Sequence, residues 1–130
     1  MKKFDEIQKD VIQKYRIDIC DGTKCANDWS RTHAHLKQRR VCKWKQSNGI
    51  VSTFTLLHEV GHIVANDGKM RRCEQEYYAT KWALEEAKRY DLEVPQQLID
   101  RYQRYIYREL ERGLRHNGKN YPSKEDMRLV

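Results

Sequence analysis

Two histidines and a glutamate in His58-Glu59-Val60-Gly61-His62 have the types and spacing to do chemistry. The pattern is H-E-x-x-H. On an α-helix, side chains four residues apart share a face, so His58 and His62 can aim two imidazole nitrogens at one ion. Glu59 lies about 100° around the helix from His58, placed to reach a water beside that ion without binding the ion itself. Three protein ligands and one open position characterise a catalytic zinc site, so a third donor must come from elsewhere in the chain. Glu76, fourteen residues beyond His62, is the candidate, with Glu74 competing.

The chemistry requires helices at both places. Around the motif, Leu56, Val60 and Ile63 form one apolar stripe, widened by Leu57 and Val64; the pattern predicts a helix capped by Ser52 and ended by Asn66-Asp67-Gly68. After it, Ala79, Ala83, Ala87 and Tyr90 recur at helical spacing with Trp82 beside them, and Glu76 opens that face. Small alanines let two helices approach closely, which would bring the Glu76 carboxylate to the histidines.

These two segments resemble a known family. H-E-x-G-H followed by E-x-x-A-x-x-(aromatic)-A, with the lead-in Ser52-Thr53-Phe54-Thr55-Leu56-Leu57, is similar to the gluzincin metallopeptidases of the ImmA/IrrE type, including the compact versions carried by phages and other mobile elements. The likeness runs over roughly residues 39–90. It implies His58, His62 and Glu76 as zinc ligands, Glu59 as general base, and peptide-bond hydrolysis as the reaction. It implies a protein or peptide substrate, for relatives a helix-turn-helix transcriptional repressor encoded nearby. The family places Asn or Asp directly after the alanine of E-x-x-A, where this chain has Thr80, a hydroxyl that can still hydrogen-bond a ligand histidine.

The expected fold class is α+β: a zincin-like minimal metallopeptidase with four main helices on a two- to three-stranded sheet. Residues 1–117 are read as a single zincin-like domain and residues 118–130 as a flexible basic tail. Residues 3–15 predict an amphipathic helix through Phe4, Ile7, Val11 and Tyr15. Arg16 to Cys20 alternates as a short strand, and Arg39 to Lys45 alternates again before the turn residues Gln46-Ser47-Asn48-Gly49. The resemblance implies that this second strand borders the cleft and pairs with an extended substrate. Residues 23–38 have no clear period and read as an ordered loop; His33 and His35 within it, like Tyr77 and Tyr78 later, are open candidates for holding an oxyanion, against the reading of surface side chains. Pro95 starts a last helix over 96–116, with Ile99, Tyr102, Ile106 and Leu110 facing the core.

Composition narrows the partners. The chain has 130 residues, 35% of them charged, and a net charge of +7, which suits an acidic partner. Arg101, Arg104, Arg108, Arg112 and Arg115 form a cationic stripe able to follow phosphates, against the reading of a solvated face neutralised by Asp100 with Arg104 and Glu111 with Arg115. The alternative function is therefore a non-catalytic, zinc-stabilised regulator or nucleic-acid-binding module. No apolar run is long enough for a membrane and no signal peptide opens the chain, so a cytoplasmic setting, in a bacterial or phage-infected cell, is expected. In that compartment Cys20, Cys25, Cys42 and Cys73 are expected as reduced thiols. A second metal held by Cys20, Cys25 and Cys42 with His33 or His35 is the other option, and Cys73, three residues before Glu76, is read as a stray buried or surface thiol, against a place near the first site. P-loop and dinucleotide fingerprints are absent from the sequence.

Overall fold

The computed structural model describes residues 3–21, 32–117 and 120–129. Four helices, α1 (Phe4–Lys14), α2 (Ile50–Val64), α3 (Arg72–Arg89) and α4 (Gln96–Asn117), accompany three short strands, β1 (Asp18–Cys20), β2 (His33–His35) and β3 (Arg40–Cys42). The α+β class, the helix count and the small sheet agree with expectation.

The strand order is β1-β3-β2, with β1 parallel and β2 antiparallel to β3. β3 is shorter than the alternation over 39–45 suggests, because Arg39 and Lys43 both have positive φ, 50° and 59°, and break the extended run. It is also central. Both of its hydrogen-bonding edges are occupied, so it has no free edge for a substrate strand, and the expected rim role is corrected. The strand that borders the cleft is β2, inside the stretch read as a loop; Cys25 and Trp29 lie outside the described residues.

The main core gathers Ile7 and Val11 of α1, Val41 of β3, Phe54, Leu56, Leu57 and Val60 of α2, and Ala83 and Ala87 of α3. A buried amide ties α1 to the entry of α2: Gln8 Nε2 donates to Ser47 O at 2.9 Å and to Thr53 Oγ1 at 2.8 Å. The N-cap of α2 is Gly49, not Ser52. The Ser52 hydroxyl is instead one turn inside, accepting from Ser47 N and donating to Lys45 O, while Thr53 Oγ1 donates to Gly49 O.

A second apolar cluster joins Cys73 and Tyr77 of α3, Ile106 and Leu110 of α4, and Met127 and Leu129. The segment expected as a loose tail is thus packed over residues 120–129: Met127 and Leu129 are buried, and Gln103 binds both ends of the crossing, donating to Met127 O and accepting from Leu129 N. An apolar pair at its end gives the segment a reason to dock that its charged middle conceals. Among the described residues no helix is long and apolar enough to cross a membrane.

Candidate metal centre

His58 and His62 both project from α2 towards Glu76 on α3. His58 Nε2 and His62 Nε2 each lie 3.1 Å from the same oxygen, Glu76 Oε2. One donor atom from each of the three residues falls within 4.8 Å of the others. Metal–ligand bonds of about 2.0–2.2 Å in a tetrahedral shell place donor atoms ~3.3–3.6 Å apart, so the group needs little rearrangement to close on an ion. Two imidazoles and one carboxylate are a donor set that suits zinc and similar dications.

What allows this approach is the contact between the two helices. A Cβ built on Gly61 would stand 2.5 Å from Ala79 O and 3.0 Å from Ala79 Cα. Only a residue without a side chain lets α2 lie this close to the backbone of α3, and Ala79 sits three residues after Glu76, on the same face. Gly61 and Ala79 therefore set the separation across which His58, His62 and Glu76 meet.

Electrostatics make the carboxylate a good donor. Burial alone would raise the Glu76 pKa, but hydrogen bonds and charge from His58 and His62 outweigh it and hold the carboxyl well below its usual range. Burial depresses His58, yet Glu59 and Glu76 outweigh that and push its pKa up to about 9. A cation entering the group takes the place of that proton, because imidazole donates only when neutral. Arg72 reaches the other oxygen of Glu76, NH2 to Oε1 at 3.2 Å, and fixes the orientation of the carboxylate.

Glu59 is buried beside the group, with Oε1 3.4 Å from His58 Nδ1, and lines the same cleft. The cleft has a volume of about 430 Å³ and is open to solvent. β2 forms one wall and α4 another, so Tyr102, Tyr105 and Arg101 face the histidines. The Tyr102 ring lies 4.8 Å from that of His58. Its burial first, and then the charges of Glu59 and Glu76, push the Tyr102 pKa up to about 12 against the opposing hydrogen bond with Thr55, so the hydroxyl keeps its proton.

Several expectations are corrected here. Glu74 stays away from the histidines: its Oε1 accepts from Arg71 N and pairs with Arg71 NH1, closing the first turn of α3. Thr80 does not reach a ligand histidine either, since its hydroxyl donates to Glu76 O at 2.7 Å, one turn back along α3. Cys73, as the favoured reading has it, is a buried thiol: it lies in the second apolar cluster and not among the residues lining the cleft. Of the proposed oxyanion donors, Tyr77 is buried in that cluster, Tyr78 is exposed, and only His33 borders the cleft. Tyr102, expected in the core, does pack against both apolar clusters, and its ring also faces His58. The stripe on α4 that marked it for the core also aims it at α2, and helical periodicity does not say that a histidine pair stands opposite. Of the two expected ion pairs on α4, Asp100 instead accepts from Gln96 and Glu111 pairs with Lys124.

Comparison of the chain with family models, with curated proteins and with solved structures found no match.

Proposed function

We propose that this protein is a zinc metallopeptidase of zincin-like build, related to the compact ImmA/IrrE-type gluzincins, with His58, His62 and Glu76 as metal ligands and Glu59 as general base. One observation carries the reading: two imidazoles and an ionised carboxylate from two helices converge at the floor of an open cleft, with a second carboxylate directly beside them. Bound zinc would supply Lewis-acid polarisation of the scissile carbonyl and a lowered pKa for the attacking water. Glu59 takes the proton from that water and delivers it to the departing amide nitrogen. Tyr102, which keeps its proton, donates a hydrogen bond to the carbonyl oxygen as charge develops there. Arg72 keeps Glu76 turned towards the histidines.

The substrate in this reading is a protein, of the kind exemplified by a helix-turn-helix repressor of a phage or mobile element, met in the cytoplasm. The test is a comparison of wild type, Glu59→Gln and His58→Ala for zinc content and for cleavage of a co-encoded repressor or an unfolded protein substrate. Glu59→Gln should retain zinc and lose cleavage by a factor on the order of 10²–10⁴, the usual contribution of a positioned acid–base group; His58→Ala should lose both. Cleavage by Glu59→Gln at the wild-type rate would sink the mechanism.

A second reading has its own observation. Arg101, Arg104, Arg108, Arg112 and Arg115 are all exposed along α4, a face that a polyanion can follow. A non-catalytic nucleic-acid-binding role predicts salt-dependent DNA binding that Glu59→Gln leaves untouched.

A further inference from the structure

The sheet carries a second group of metal-binding side chains, separate from the helix pair. Side chains alternate along each strand, so one face of the sheet presents Val41 to the helical core and the other presents Arg40 and Cys42. Register places His33 of β2 opposite Cys42 and His35 opposite Arg40, on that second face. On its other side, Cys42 is in register with Cys20 of β1, and Arg40 pairs with Asp18 at 2.8 Å, as neighbours on one face should. The result is that His33, His35 and Cys42 each offer a donor atom within 4.8 Å of the other two. Cys42 is completely buried and His33 nearly so. The two imidazole rings meet edge to face with centroids 5.0 Å apart.

Cys42 is disulfide-bonded, whereas Cys20 and Cys73 keep their thiols as expected. The expectation of four reduced thiols is therefore corrected at Cys42. The bond also sets the condition under which the group can act, since only a thiolate is a strong metal ligand.

We propose that His33, His35 and Cys42 form a second metal site of the zinc class, competent once the Cys42 disulfide is reduced. A dithiol reductant gives two electrons and two protons to the disulfide, breaking the S–S bond and leaving two thiols while the reductant becomes a disulfide. The metal then displaces the Cys42 proton, and both imidazoles bind as neutral bases. Two nitrogens and one thiolate suit tetrahedral Zn²⁺, with the fourth position taken by water or one further donor. Cys20, though in register with Cys42, is not part of the ligand group among the described residues. The consequence reaches the cleft, because β2 is one of its walls and His33 borders it: a metal joining β2 to β3 stiffens that wall. Of the expected set, Cys42 and both histidines stand in the group and Cys20 does not, while Cys25 lies outside the described residues.

Cobalt(II) distinguishes this site from the helical one, because the cleft group contains no sulfur. Protein reduced with a dithiol and then freed of it is titrated with cobalt(II), alongside oxidised protein, Cys42→Ser, His35→Ala and His58→Ala/His62→Ala. Reduced wild type should develop a near-ultraviolet thiolate-to-cobalt charge-transfer band that is complete within two equivalents, the cleft group taking the other, and within one equivalent in His58→Ala/His62→Ala. The band should persist in His58→Ala/His62→Ala, and should vanish in Cys42→Ser, in His35→Ala and in oxidised protein. No band in reduced wild type, or a band that survives Cys42→Ser, overturns the proposal. Failure of the peptidase reading would leave the band intact, so the two can fail separately.

Discussion

Gly61→Ala should weaken metal binding far more than it weakens the fold. The added Cβ would lie 2.5 Å from Ala79 O, so α2 and α3 must part by about 0.5 Å to reach 3.0 Å and by about 0.9 Å to reach ordinary contact at 3.4 Å. Backbone is the obstacle, so no side-chain rotation relieves it. Overpacking of this kind costs about 1–3 kcal/mol, while replacing glycine by alanine inside a helix returns about 1 kcal/mol. The net loss of stability is then between about 0 and 2 kcal/mol. The metal group has less tolerance. His58 and His62 ride on one helix and Glu76 on the other, and metal–ligand distances accept only about ±0.2 Å, several times less than the forced displacement. Zinc affinity should fall at least about tenfold, the scale of losing a supporting contact at a metal site. Competition with a chromophoric chelator measures it, and thermal unfolding of the metal-free proteins measures the stability term separately. Gly49→Ala is the control, because an added Cβ there meets nothing within 4 Å. A Gly61→Ala protein that binds zinc within twofold of wild type would refute the claim that this helix contact sets the ligand geometry.

Three further outcomes are expected. Tyr102→Phe should keep zinc and lower kcat about 10²–10³-fold with little change in KM, the mark of a donor used in the transition state; an unchanged kcat removes Tyr102 from the reaction. Met127→Ala should destabilise the protein by about 2–3 kcal/mol in denaturant unfolding, near the low end for a buried methionine, and an effect near zero would restore the loose tail. Tyr90 donates to Asp10 Oδ2 at 2.5 Å, and burial, that hydrogen bond and nearby carboxylates raise its pKa above the ordinary 10.0. A pKa raised in the folded state contributes stability that is fully present below the unfolded value and lost as pH rises past it. The stability gap between wild type and Tyr90→Phe should therefore hold steady up to pH 10 and shrink above it; a gap that widens in alkali contradicts the assigned direction.

Local pattern was enough to place the chemistry on its elements. The spacing of His58 and His62, the stripe of Leu56, Val60 and Ile63, and the recurrence of Ala79, Ala83 and Ala87 each depend on residues within a few turns of one another, and helical periodicity records that kind of information. The same holds for the short strands at Asp18–Cys20 and Arg40–Cys42. Glu76 is preferred over Glu74 because it heads the alanine face and because its spacing to Ala79 suits the resemblance better; in the fold Glu76 meets His58 and His62 while Glu74 pairs with Arg71.

Whatever depends on distant segments meeting was decided by tertiary structure. Strand order is one case: nothing within residues 39–45 says that β1 and β2 take both edges of β3, and the cleft wall passed to His33–His35 as a result. Tyr102 is another, since a side chain on the inner face of α4 becomes part of the site only through what it faces on α2. Thr80 follows the same logic in reverse, because its hydroxyl found a carbonyl one turn away before any histidine. The sequence by itself determined which residue types stand at helical and strand spacing, since those intervals follow from backbone geometry alone. The fold decided which faces meet, because that depends on how closely two backbones can pack, and at Gly61 the answer turns on a single missing Cβ.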